Sequence, residues 1–394
     1  MPPERTRILI IGAGPAGLLL STLLHRSGVD HVVVESRSRS EIAHTHRAGI
    51  LEAGSVSTLV DLGLTRVIEE GDRHDGIDMR FDGRMHRIDF DGLVGRSVWL
   101  YPQTDVFVDL ADRCEADGAD IRWEHRVTEV LDAESDLPGA RVEGPDGAEY
   151  EVRADLVVGA DGSHSIVRHG FPEQMRRTWV HEYPYAWFGV IVEAPRSAPE
   201  LVYTESEHGF ALVSQRTPTL QRLYFQCDPD EDAAEWDDAR IWHELQRRVA
   251  GPDGFVLQEG PVQERTVLRF RSSVVEPMRL GRVVLVGDAA HTVPPTGAKG
   301  LNLAIGDVVV LHELLEEWLR TPDDTLLDEY GRRAGRRIWR AQHFSAWMSR
   351  MLHSTPDEDG FERRRRLAEL HMLVDSEAGR RYLAEGYTGW VDPA

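Results

Sequence analysis

Cysteine is nearly missing: 394 residues contain two, Cys114 and Cys227. Two thiols so far apart make neither a disulfide framework nor a metal-ligand pattern. No metal is expected, and a reducing cytoplasm fits. Lysine is scarcer still. Of 45 basic residues only Lys299 is a lysine, so nearly every cation is a planar guanidinium fork rather than a compact ammonium. Positive charge as a whole is in deficit, with a net charge of −22. That balance argues against nucleic acid and anionic membranes as partners, and any anionic substrate needs a local cluster of arginines. No apolar run approaches the ~18 residues of a membrane helix. The short run 8–11 faintly resembles a signal peptide, but glycines at 12, 14 and 17 break it, and a soluble, unexported chain is expected.

What is present is organised around residues 287–302, GDAAHTVPPTGAKGLN. An apolar run, 283–286, precedes it and a helix-like run follows, so the pattern reads as strand, stiffened turn and helix start. Asp288 sits just off the strand end, where a carboxylate suits sugar or ribityl hydroxyls. The backbone N–H groups of Gly300, Leu301 and Asn302 open the helix and suit a group that gains negative charge. A flavin supplies both. At the other end of the chain, a strand at 7–11 runs into Gly12-Ala13-Gly14-Pro15-Ala16-Gly17 and a helix. A second strand, 31–34, ends at Glu35. This is the dinucleotide fingerprint in its required context: Gly12, Gly14 and Gly17 allow the tight turn and close approach to a pyrophosphate, and Glu35 accepts from ribose hydroxyls. A third strand, 155–158, leads to Asp161-Gly162.

Between these marks the composition becomes that of an antiparallel sheet, with strands expected at 201–203, 209–216 and 222–227, the last two joined as a hairpin. Alternation places Ser214 and Arg216 on one face of their strand, and Arg222, Tyr224 and Gln226 on one face of the next. Such a wall suits a carboxylate, since an arginine binds it through two parallel bonds and serine and tyrosine add single donors. The remainder, 326–351 and 361–373, reads as helix. Its four-arginine run, 363–366, reads as a solvated face or a subunit contact. The fold class is therefore mixed α/β: a Rossmann-like FAD-binding domain (1–75, 102–179 and 268–345), an inserted antiparallel-sheet substrate domain (76–101 and 180–267), and a helical C-terminal region (346–394).

The order of fingerprint, central Asp161-Gly162 and late Gly287-Asp288 resembles that of the FAD-dependent aromatic hydroxylases. Four stretches narrow the resemblance to the 4-hydroxybenzoate 3-monooxygenase family over essentially the whole chain. They are RAGILE at 47–52, GFALVSQR at 209–216, residues 287–302, and WRAQHFS at 339–345. The resemblance implies that Arg216, Ser214 and Tyr224 hold a substrate carboxylate, and that Tyr203 meets the phenol. A relay through Tyr387 and His74 would carry the phenol's proton to solvent, and Pro295 would face the reacting ring. Flavin contacts would come from Glu35, Arg47, Gln103, Asp161, Asp288 and Asn302, with Lys299 lending positive potential beside Gly300 and Leu301. The implied chemistry is attack by a flavin hydroperoxide on a ring activated as its phenolate; a free phenol has a pKa near ~10, hence the relay. Histidine suits its outer end because it exchanges protons near neutrality. The product would be 3,4-dihydroxybenzoate, with O2 as co-substrate and a homodimer as the assembly.

One departure concerns the nicotinamide cofactor. Family members preferring NADPH tend to carry a tyrosine and an arginine where this chain has Glu41 and Thr45. A carboxylate repels a 2′-phosphate but accepts from a ribose hydroxyl, so NADH is expected to serve at least as well as NADPH, although Arg37 and Arg39 favour the opposite. His164 and Arg271 match positions facing the pyridine nucleotide. Three alternatives stay open: a hydroxylase of 4-aminobenzoate or 3,4-dihydroxybenzoate, a flavin-dependent halogenase or oxidase, and a non-hydroxylating FAD protein. The halogenase pattern Trp-x-Trp-x-Ile-Pro is missing.

Overall fold

The computed structural model describes residues 3–44, 49–321 and 323–390. Its first layer is an eight-stranded sheet. The fingerprint strand Glu4–Ile11 lies at its centre, parallel to His31–Val34 on one side and Glu149–Gly159 on the other. Val283–Leu285 and Asp120–Arg122 extend the parallel set outward. Parallel strands flanked by helices are covered on both faces, which is why Ile8, Leu9, Ile10, Leu156, Val157 and Val158 form an unbroken apolar run with no exposure. The helices Pro15–Arg26, Gln103–Asp117 and Gly300–Trp318 pack against one another and this core.

The second eight-stranded sheet is antiparallel apart from one pairing, Val202–Thr204 beside Gly76–Phe81. The expected hairpin is there as Ala211–Thr217 and Leu220–Cys227, in a register that sets Ser214 opposite Arg222 and Leu212 opposite Tyr224. Two long strands, Arg177–Glu193 and Val262–Glu276, pair along most of their length, with a register shift between Glu182 and Ala186, and carry the chain from the first layer into this sheet. They run through positions 179/180 and 267/268 without interruption.

Three helices close the fold: Thr325–Leu352, Gly360–Asp375 and Glu377–Thr388. The sequence reading delimited the first two and placed the third within its helical region 346–394 without bounding it. The four-arginine run is not simply a solvated face. Arg366 is buried, holding Glu358 at 2.7 and 2.9 Å and Glu205 at 3.1 Å. No described helix is long and apolar enough to cross a membrane.

Candidate active site

The fingerprint turn is shaped by two close approaches. Gly12 has φ +105°, and a Cβ there would stand 2.4 Å from the Ala160 carbonyl oxygen; one on Gly17 would stand 1.9 Å from that of Gly12. Any side chain at either position would push the helix Pro15–Arg26 off the sheet. Gly14 differs. A Cβ there would meet nothing within 4 Å, and the helix begins on it without a side-chain cap. An open, donor-rich helix start of this kind suits a pyrophosphate. Glu35 lies beside it, buried, one oxygen accepting from the Ala13 N–H (2.9 Å) and the other from the Arg37 N–H (3.0 Å).

These groups open into one cavity of about 1190 Å³. Gly12, Gly14, Glu35, Arg37, Gln103, Asp161, Asp288, Gly300 and Leu301 line one part; Tyr203, Ser214, Arg216, Arg222, Tyr224 and Pro295 line another. Small-molecule pockets run to roughly 1,000 Å³, so this space suits a dinucleotide together with a small aromatic acid. The carboxylate wall and the glycine turn, expected from separate stretches of sequence, thus share a single chamber. Half-buried Arg216 has its pKa lowered by burial and by Arg222 beside it. Burial raises the Tyr224 phenol, with Arg222 opposing, so it stays a neutral donor. Arg222 is the residue the sequence reading saw on this face without assigning to the site. Its guanidinium lies 5.3 Å from the Tyr224 ring centre, and its Nη1 is buried without a hydrogen-bond partner among the described residues.

Apolar walls complete this end of the chamber, chiefly Trp187, Leu201, Leu212 and Leu268. Trp187 is held from behind: its Nε1 donates to His353 Nε2 at 2.6 Å, and His353 Nδ1 lies 2.8 Å from the Ser349 carbonyl. Because an indole only donates, Nε2 accepts and the imidazole proton sits on Nδ1. Burial takes His353 down to about 3.

The two relay tyrosines meet. Their hydroxyls are 2.6 Å apart, both rings are about 1 % exposed, and the Tyr203 hydroxyl also lies 3.3 Å from the Thr296 carbonyl. Burial pushes both phenols up, Tyr387 further through Tyr203. Each therefore keeps its proton at neutral pH. His74 is buried, with Nε2 3.2 Å from Asp72, and its Nδ1 has no hydrogen-bond partner among the described residues. Burial lowers its pKa against the pull of Asp72. No direct hydrogen bond joins His74 to Tyr387 among the described residues.

Several expected cofactor residues also make contacts within the protein, Asp161 and Lys299 among them while lining the cavity. Asn302 is turned away from the cavity, its amide donating to the Ile50 and Ala298 carbonyls (2.8 and 2.9 Å) and accepting from the Glu52 N–H (2.9 Å). It fastens the helix start to the strand Ile50–Glu52. Lys299 is buried, with its ammonium 2.5 Å from Glu52 and 3.1 Å from the Tyr387 carbonyl. Burial lowers its pKa and Glu52 opposes. The paired carboxylate offsets its charge, leaving local positive potential to the helix start. Asp161 accepts from the Ile166 and Val167 N–H groups (2.7 and 3.2 Å), capping a short helix, while its other oxygen stays buried without a hydrogen-bond partner among the described residues. Glu41 folds onto its own helix as a cap, accepting from the Ser38 N–H and hydroxyl at 2.8 Å each. Arg39 pairs with Asp112 and Glu115. His164 lines the cavity mouth; Arg271 is exposed on the strand Val262–Glu276 and lies outside the cavity lining. Arg47 and Thr45 lie outside the described residues.

An FAD fits what is present: an open glycine cradle at a helix start, the buried acid Glu35, a second acid at Asp288, and the start of the helix Gly300–Trp318 on one chamber. These define a dinucleotide-dependent flavoprotein. Comparison with known proteins agrees. Residues 5–345 match the FAD-binding domain family, and the chain belongs to it. It is 39 % identical over 391 residues, covering 99 % of this chain and 96 % of the relative, to the p-hydroxybenzoate hydroxylase of Acinetobacter baylyi. It is 31 % identical to the 6-methylpretetramide 4-monooxygenase of Streptomyces rimosus, over 89 % of this chain and 85 % of that one. The solved structure of p-nitrophenol 4-monooxygenase from Pseudomonas putida shares the fold. Its TM-score is 0.84 at 22 % identity, covering 98 % of this chain and all of that one.

Proposed function

We propose that this protein is an FAD-dependent 4-hydroxybenzoate 3-monooxygenase, converting its substrate to 3,4-dihydroxybenzoate with O2 and a reduced nicotinamide. The observation that carries the reading is the shared chamber. A carboxylate wall (Arg216, Ser214, Tyr224) and Tyr203, with Tyr387 hydrogen-bonded behind it, open onto the same space as the flavin-binding turns. When bound and reduced, the flavin supplies an activated oxygen from O2. The chain's residues do the rest. Arg216 and Ser214 fix the acid end of the ring, and the apolar walls exclude water, which strengthens each polar contact. Tyr203 takes the phenol proton while passing its own to Tyr387, so neither tyrosine need ionise. The relay delivers the proton towards His74 and solvent, and the electron density gained at the carbon beside the phenolate oxygen is what an electrophilic oxygen attacks.

The same reading includes NADH as a donor at least as good as NADPH, because Glu41 keeps its negative charge at the segment after the second strand while Arg39 is engaged by two acids. A homodimer in the cytoplasm completes it. Purified protein mixed with NADH and 4-hydroxybenzoate is expected to consume O2 and release 3,4-dihydroxybenzoate. Release of a product only from 4-aminobenzoate or 3,4-dihydroxybenzoate would reassign the substrate. NADH oxidation indifferent to every benzoate would remove the hydroxylase reading.

A further inference from the structure

The mechanism above leaves one fully buried ion pair unused. His291 and Asp307 are both 0 % exposed, and His291 Nε2 lies 2.6 Å from Asp307 Oδ2. The same oxygen accepts the Gly287 N–H at 3.0 Å. Gly287 and His291 bracket the turn that carries Asp288. Gly287 has φ +59°, a left-handed conformation, and a Cβ there would press on Ala304 at 3.1 Å. Asp307 lies on the helix whose first residues, Gly300 and Leu301, line the cavity. One carboxylate oxygen therefore ties both ends of the acid-bearing turn to the helix that faces the cofactor space.

We propose that Asp307 and His291 are positioning residues for the flavin. Together they set where Asp288 stands relative to the helix start, so that one bound FAD meets both. Burying an unpaired carboxylate is strongly unfavourable, and a simple apolar contact at Asp307 would hold the turn without that burden. An oxygen with two lone pairs gathers a backbone N–H and an imidazole N–H at one point, and the carboxylate charge adds an ionic pairing with His291 that a neutral amide oxygen would lack. The inference rests on the flavin-binding reading of Asp288 and adds the device that aims it.

The groups facing His291 are Asp307 and Asp288, with Arg337 opposing; Tyr330 faces Asp307, and Arg168 reaches the turn through the Ala289 carbonyl. Burial works against the imidazolium, but Asp307 outweighs it and the pKa is raised. The sign follows. A histidine raised by folding contributes fully below its ordinary range and loses that contribution as pH climbs through its raised value. Above that value the imidazole is neutral and its tie to Asp307 weaker, so the turn carrying Asp288 is held less firmly and FAD retention in the wild-type holoprotein should weaken on the alkaline side.

The test follows FAD fluorescence released on dilution of holoprotein between pH 6 and 9, for the wild type, D307N, H291Q, the double variant and D288N. D307N and H291Q are each expected to release FAD about ten-fold more readily or worse, the scale of a buried polar group losing its partner. Both should lose the alkaline step, and the double variant should be no worse than the poorer single. H291Q keeps the Gly287 contact to Asp307 and covers the case in which D307N fails to fold. Wild-type retention and pH profile in H291Q, or additive effects in the double variant, would overturn the proposal. Wild-type retention in D288N would instead remove the flavin role of Asp288 itself.

Discussion

Replacing Tyr203 by phenylalanine separates the chemistry from the binding. The substitution keeps the ring and deletes one hydroxyl. Its partner, the Tyr387 hydroxyl 2.6 Å away, is then left in a site about 1 % exposed. A buried donor without a partner costs about 1–3 kcal/mol, a modest drop in urea midpoint for a chain of this size. The larger effect falls on the reaction. With no hydroxyl at 203 the substrate phenol has no path to Tyr387, and losing a positioned proton acceptor typically costs ~10²–10⁴-fold in rate. In the proposed binding mode the acid end is held by Ser214, Arg216 and Tyr224, which lie on other strands, so KM should move less than about threefold, under 1 kcal/mol. The assay pairs NADH consumption with chromatography of the product, and an ultraviolet difference spectrum reports whether bound substrate becomes phenolate. The expected result is near-normal substrate binding, no phenolate band, and NADH consumed without a matching yield of 3,4-dihydroxybenzoate. A product yield unchanged from wild type, or a KM rising in step with the fall in kcat, would refute the relay.

Further expectations follow from the same geometry. Arg216→Met should raise KM by about 30-fold or more, because a charge-assisted pair contributes roughly 2–5 kcal/mol. Arg222 in the same wall keeps the loss from the upper end, and a change below threefold would show that the acid sits elsewhere. His353→Gln should flatten the acid side of the stability profile. The wild-type imidazole, held at about 3, stays neutral while the unfolded chain takes up a proton below ~6.5, so stability falls between those values by about 1.4 kcal/mol per pH unit. Parallel urea midpoints for the two proteins from pH 4.5 to 7.5 would contradict this. Glu41→Gln should raise kcat/KM for NADPH relative to NADH by removing charge near the 2′-phosphate, and an unchanged ratio would place that phosphate elsewhere.

How much of this was written in the residue order depends on distance along the chain. The fingerprint with Glu35, the Gly287-Asp288 turn and the Ser214–Arg222 hairpin are local patterns, set by periodicity and glycine placement, and the structure builds all three. What local pattern does not carry is the partner far away. Tyr203 and Tyr387 are 184 positions apart, and resemblance alone suggested their pairing. The helix bringing Tyr387, Glu377–Thr388, lay within the region read as helical but was not delimited, because its apolar face, Leu383, Ala384 and Tyr387, occupies barely more than one turn. Lys299 looked like a bare cation because Glu52 lies 247 positions earlier. Asn302 looked like a cofactor ligand because an amide's partners, here three backbone groups, leave no mark in composition. Arg222 was visible on its face, but a guanidinium there reads equally well as solvated until its neighbours are known.

The two long strands that pass from the parallel layer into the antiparallel one act as a girder rather than a hinge. Arg177 pairs with Glu276 at one end and Val192 with Val262 at the other, with a register shift between Glu182 and Ala186, so a swing of one half against the other would strain this ribbon. A practical corollary concerns protein engineering. A sheet excised at residue 180, or exchanged with a relative's at that point, would begin mid-strand with torn backbone pairs, whereas grafts that carry 177–276 as one block preserve the pairing between these two strands.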